Sequence, residues 1–176
     1  LKESIDNEGY IVLKNVFSAE EIDHCVNDVI AFKKNHKLLD NAGGYTVPNF
    51  VRFPELESIA NLRNSEKLQN ALYEIFGSND YRFCEHNDIG INRIVGWHKD
   101  KLNNKYAKFE TVPIWNTHKG EKHEIVKVLI YLEDHSSDND GLKVVPHSQK
   151  TSTINPSGFV QLRPSIGDVV IFDQRI

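Results

Sequence analysis

The sequence contains no methionine, not even at position 1, where Leu1 stands. It has only two cysteines, Cys25 and Cys84. They are too far apart for a paired metal-ligand motif, and they read as reduced, packed thiols of a cytoplasmic protein. Basic charge is also short: 21 Lys and Arg stand against 25 Asp and Glu, a net charge of −4 with a pI near 6.1. That balance argues against a nucleic-acid footprint, which is normally basic. No apolar run is long enough to span a bilayer, and Leu1-Lys2-Glu3-Ser4-Ile5-Asp6 has no apolar core of a signal peptide. Membrane and nucleic-acid partners are therefore not expected. With 176 residues and 39% hydrophobic content, the chain can bury one core as a single domain. The missing initiator and an end inside the apolar run Val169 to Ile176 lead to the expectation that material is missing at both termini.

Two helices are predicted first. Ser18 and Glu21 form a capping box flanked by the staple pair Phe17 and Ile22, followed by Ile22, Cys25, Val26, Val29 and Ile30 at helical spacing. A second helix starts near Ser65, carries Leu68, Ala71, Leu72, Ile75 and Phe76 on one stripe, and stops at Gly77. Asp40 to Tyr45 reads as a loop. Strands are predicted at Tyr10 to Leu13, Tyr81 to Cys84, Ile89 to Trp97, Ile125 to Leu132, Leu142 to Val145, Phe159 to Leu162 and Val169 to Phe172, with turn-rich stretches between. Helices followed by short strands indicate an α+β fold: a double-stranded β-helix (jelly-roll or cupin-like) barrel with helices on one face. The polar segment from Lys101 to Glu124 is a long loop of the kind that serves as a lid or substrate wall.

The chemistry is concentrated in Gly96-Trp97-His98-Lys99-Asp100. On an extended segment His98 and Asp100 point the same way, because the side-chain period is two. An imidazole and a carboxylate, joined by a distant second histidine, make a facial triad with open positions for a 2-oxo acid and O2. Spacing alone is weak evidence, since 8 His and 25 acidic residues give about one His-x-acid match by chance. His86-Asn87-Asp88 is a second such match.

Context separates the two. Trp97-His98-Lys99-Asp100, then Gly141-Leu142-Lys143-Val144-Val145-Pro146, then Gly167-Asp168-Val169-Val170-Ile171-Phe172-Asp173, in that order, resemble the phytanoyl-CoA dioxygenase family. Gly9 to Leu13, Phe17 to Ile22, and Ile130 to Asp134 resemble it as well. The resemblance implies a non-haem Fe(II)- and 2-oxoglutarate-dependent dioxygenase in which His98 and Asp100 bind the metal. Such an enzyme uses O2, hydroxylates a small molecule, and releases succinate and CO2. Because Asp100 is retained, no iron position is left open for halide, so hydroxylation is favoured over halogenation. The family's distal histidine, and its arginine for the far carboxylate of 2-oxoglutarate, are expected beyond Ile176. The end of the Asp168 to Phe172 strand should then lie beside the His98–Asp100 segment. The family's Pro turn usually continues Gly-Ser-His, whereas here it reads His147-Ser148-Gln149, and His147 is taken as a turn residue.

Other residues carry two readings each. Lys127 and Tyr131 share the mixed face of their strand, where they either contact 2-oxoglutarate or simply meet solvent. Asn92 either hydrogen-bonds the co-substrate or sits in a solvated turn. His118 and His123 lack the further ligands of a zinc site and read as surface residues. Trp115 and Phe109 line a substrate entrance or anchor their loop. Two other functions stand behind the oxygenase: a catalytically inactive jelly-roll binding protein, and a cupin-like enzyme using another metal. Substrate identity and oligomeric state are not written in these residues.

Overall fold

The computed structural model describes residues 1–41, 44–83, 87–99, 125–137, 141–151 and 153–176. In chain order the elements are α1 (Lys2–Glu8), β1 (Tyr10–Leu13), α2 (Ala19–Asn35), β2 (Leu39–Asn41), β3 (Gly44–Pro48), α3 (Glu57–Asn61), α4 (Glu66–Phe76) and β4 (Asp88–Ile91). They continue with β5 (Val126–Ile130), β6 (Lys143–Val144), β7 (Val160–Gln161) and β8 (Val169–Asp173). Among the described residues the strands form three antiparallel sheets, ordered β1-β8-β5, β2-β3-β4 and β6-β7. The chain divides into two compact units, Leu1–Val16 with Trp97–Ile176, and Phe17–Gly96. No helix among the described residues is long and apolar enough to cross a membrane.

In the first unit β8 is the central strand. Val169, Val170 and Ile171 are wholly buried, as a continuous apolar run flanked by strands on both edges should be. Each such side chain contributes about 1.5–3 kcal/mol relative to exposure. β1 pairs with β8 from Tyr10↔Phe172 to Leu13↔Val169, and β5 pairs from Val126↔Asp173 to Ile130↔Val169. Val144, Leu162 and Val170 form a cluster against which Val12, Tyr131, Leu142, Phe172 and Ile176 pack. The glycine of Gly-Leu-x-Val has a steric reason here, since a Cβ on Gly141 would collide with the carbonyl oxygen of Leu162. The Leu162 amide in turn donates to the Leu142 carbonyl at 2.8 Å.

In the second unit the Ser18–Glu21 capping box is formed, and α2 buries Ile22, Cys25, Val29 and Phe32. The buried stripe is rotated from the predicted one: Phe32 replaces Ile30, which is exposed. α4 buries Leu68, Ala71, Leu72 and Ile75 and ends at Gly77 as predicted. Three expectations are corrected. Asp40 to Tyr45 is not simply a loop, because β2 pairs antiparallel with β3 in the register Leu39↔Thr46, Asp40↔Tyr45 and Asn41↔Gly44. Tyr81 to Phe83 forms no strand, and these rings instead pack on one another and on Phe76. The strand expected from Ile89 to Trp97 ends at Ile91, because Asn92 takes φ 50, a left-handed conformation that breaks an extended run. Composition gave no warning of α1 or of the short 3-10 turns Phe50–Arg52, Pro54–Leu56 and Leu62–Asn64.

Candidate metal centre

Residues 92–99 lie outside helices and strands, so the extended strand expected to carry the ligand pair is not found there. Trp97 and His98 are both exposed, whereas Lys99 is only 4% exposed. Asp100 lies outside the described residues. So do His86 of the competing pair and the segment 101–124 with Phe109, Trp115, His118 and His123. Asp88 of the competing pair is exposed in β4, while the Asn87 Oδ1 accepts from the Val51 amide at 3.4 Å. Among the described residues no three His, Cys, Asp or Glu side chains gather in a way that could hold a metal ion.

The buried Lys99 ties this segment to two distant parts of the unit. Its Nζ donates to the Ser148 carbonyl at 2.7 Å and to the Arg175 carbonyl at 2.7 Å. Burial pushes its pKa down from 10.5 to about 8; the Asp173 carboxylate opposes the shift and Arg175 adds to it. The end of β8 was expected beside the His98–Asp100 segment, and the chain end does meet Lys99 of that segment, although the strand's own two edges are taken by β1 and β5. The connection runs instead from Lys99 to Arg175, two residues beyond the strand.

Both acceptors of Lys99 are themselves held. Asp173 accepts from the Arg175 Nε at 2.8 Å, from its Nη2 at 2.6 Å and from its backbone amide at 2.8 Å. This fork raises the guanidinium pKa further. The Asp173 amide donates to the Gly9 carbonyl at 2.8 Å. On the other side, His147 Nδ1 lies 2.7 Å from the Asn7 carbonyl, and the His147 amide donates to the Glu8 carbonyl at 3.0 Å. Gln149 is 5% exposed, and its Nε2 donates to Asn7 O at 3.1 Å and to Asp6 O at 3.2 Å. The turn at His147 (φ 66) thus closes the C-terminal end of α1, in keeping with its reading as a turn residue.

Of the remaining candidates, Lys127 is half-buried in β5 opposite Phe172. The Tyr131 hydroxyl accepts from the Leu142 amide at 3.3 Å, and burial raises its pKa. Its ring meets His135 edge to face at 5.3 Å between centroids. Asn92 belongs to the other unit, exposed just after β4. Trp97 is 44% exposed, with its ring centroid 5.6 Å from that of Phe159; the Lys143 ammonium lies over the Phe159 ring at 5.6 Å. Lys99, Gln149, Asp173 and Arg175 were not singled out from sequence. The one available signal was parity: if His98 and Asp100 face outward, the residue between them faces inward.

The family model for phytanoyl-CoA dioxygenase (PhyH) matches residues 5–176. No curated protein matches the chain. Solved structures do. SnoN, a non-heme alpha-ketoglutarate-dependent epimerase from nogalamycin biosynthesis, aligns with TM-score 0.69 at 11% identity, covering 99% of this chain and 71% of that one. HygX from Streptomyces hygroscopicus, with nickel, 2-oxoglutarate and hygromycin B bound, aligns at 0.63 and 13%, covering 99% and 78%. EctD from S. alaskensis with bound Fe aligns at 0.66 and 19%, covering 99% and 67%. At these identities the likenesses speak to the fold alone.

Proposed function

The chain belongs to the phytanoyl-CoA dioxygenase family, whose enzymes depend on Fe(II) and 2-oxoglutarate, and from that premise we propose that it hydroxylates a small organic substrate. The observation that carries the reading is the family match over residues 5–176, nearly the whole chain. The same match supports one oxygenase domain over residues 1–176. The structural likenesses support the finer assignment of its antiparallel sheets to a double-stranded β-helix. A buried free thiol at Cys25 suits a cytoplasmic setting.

In this reading His98 and Asp100 hold the iron. The chain fits as far as it is described: His98 is exposed, and its neighbour Lys99 is pinned between Ser148 and Arg175. His98 binds as a neutral imidazole, so its affinity for metal falls in acid. When bound, iron and 2-oxoglutarate supply the oxidising chemistry that couples O2 to attack on a substrate C–H bond. The protein supplies orientation. Lys127 offers a point charge to a carboxylate of the co-substrate, with Tyr131 as a further polar contact. Trp97 and Phe159, whose ring centroids lie 5.6 Å apart, offer an exposed apolar surface to a substrate.

The test is aerobic conversion of 2-oxoglutarate to succinate by purified protein with Fe(II) and ascorbate. Turnover should stop on chelation, vanish in His98→Ala, and persist in His86→Ala. No succinate from the wild type, or loss with His86→Ala rather than His98→Ala, overturns the proposal.

A further inference from the structure

We propose that Lys99 is a positioning residue that sets the His98 ligand against the corner formed by α1 and β1. The inference rests on the metal-binding reading of His98 given above. Its basis is geometric. The 92–99 segment belongs to no helix or strand, so no sheet register sets where His98 points. One ammonium reaches two carbonyls, Ser148 and Arg175, that lie 49 and 76 residues away in sequence. Each acceptor is anchored in turn to the same few residues. The 147–149 turn holds Asp6, Asn7 and Glu8 through His147 and Gln149. The last residue of β8 holds Gly9 through the Asp173 amide, and Arg175 just beyond the strand is fixed by its fork on Asp173.

This corner is closely packed. Gly9 has φ +90, and a Cβ on it would come within 2.7 Å of Gln149 Oε1 and 2.9 Å of Ile176 Cδ1. Lys99 therefore links the ligand segment to a part of the unit with little room to shift. Lysine is well matched to this double contact. Three donors on a compact head can serve two carbonyls from different directions, whereas the planar fork of arginine matches a single carboxylate better. Groups that orient a metal ligand from behind typically affect metal affinity by about 10- to 100-fold.

The experiment uses Co(II) as a spectroscopic probe in the purified full protein. Lys99→Met, which keeps the aliphatic stem and removes the donors, should weaken Co(II) binding by about 10- to 100-fold and alter the visible d–d spectrum. Lys99→Arg should restore part of the affinity. Leu68→Ala, a destabilising change in α4, should leave affinity and spectrum as in the wild type. Without metal, amide hydrogen exchange in Lys99→Met should quicken at residues 147–150 and 174–176. If the methionine variant does not fold, Lys99→Gln, which keeps one amide donor, should show the same changes in smaller degree.

Wild-type Co(II) affinity and spectrum in Lys99→Met overturn the positioning role. So does an equal loss in Leu68→Ala, which would make the effect one of general stability. If the wild type binds no Co(II), or His98→Ala binds it equally well, the metal reading of His98 fails and takes the positioning role with it. The exchange data then still report whether the clamp exists.

Discussion

Asp168 offers a clean test of what holds β8 in place. Its side chain is 1% exposed. Oδ1 accepts from the Asn15 amide at 2.9 Å, and Oδ2 accepts from the Ser165 amide at 2.7 Å and from the Lys14 ammonium at 2.7 Å. Lys14 is 56% exposed, so its charge can return to water if the carboxylate is removed. The two part-buried amides, of Asn15 and Ser165, lose a charged acceptor. A hydrogen bond to a charged group is worth about 1.5–3 kcal/mol, so the loss of two backbone bonds to the carboxylate puts the cost of Asp168→Ala at about 3–5 kcal/mol. Asp168→Asn keeps one acceptor oxygen and should cost about half as much. Lys14→Met removes an exposed partner and should cost under about 1 kcal/mol. Against a total stability of about 5–15 kcal/mol, the alanine change is severe and the methionine change slight. Urea midpoints at constant m-value would measure all three. If Lys14→Met destabilises as much as Asp168→Ala, the ion pair rather than the backbone hydrogen bonds anchors the strand, and the reasoning is wrong.

The same carboxylate sets an acid limit. Burial alone would raise its pKa, but the hydrogen bonds from Lys14, Asn15 and Ser165 outweigh that and hold it below the ordinary 3.8. A depressed folded-state pKa contributes stability that is present above the unfolded value and lost as pH falls through the folded one. Wild-type urea midpoints should therefore drop steeply below about pH 4, and those of Asp168→Asn less so; parallel profiles would refute the assignment. At the corner that holds the chain end, Gly9→Ala should cost about 1–2 kcal/mol, because alanine is strained at φ +90 and its Cβ meets Gln149 and Ile176. A thermal midpoint equal to the wild type's would mean the corner yields more readily than its packing suggests.

Much of the fold was legible because the signals were local. The capping box at Ser18 and Glu21 formed as read, and β1 and β8 fell where unbroken apolar runs placed them. Errors arose where one residue's backbone overrode the pattern around it. Ile89 to Trp97 is rich in β-formers, yet Asn92 adopts a left-handed conformation and leaves Ile94 and Val95 exposed rather than laddered. The stripe on α2 was misjudged by one position, since Ile30 and Phe32 are both apolar and only packing decides which turns inward. Gly141 is required by the approach of Leu162, a contact 21 positions away that no local window contains.

The candidate site divides along the same line. His98 and Asp100 stand as candidates because spacing and flanking motifs mark them, whereas Lys99 was passed over because lysine is among the residues least often buried. Its burial follows from what it meets. The Arg175 carbonyl lies just beyond the end of β8, where ladder partners run out, and the Ser148 carbonyl, which also accepts from the Thr151 amide at 3.1 Å, has a second lone pair to offer. A side chain arriving from the 97–99 segment can meet both only if it is long and carries several donors, and lysine satisfies both conditions. The cost appears in its own titration, with burial lowering the pKa to about 8. A lysine held at that cost, next in sequence to an exposed histidine, is more than solvent-facing filler between two candidate ligands. It links a segment without regular structure to the turn and strand end that close on the first nine residues of the chain.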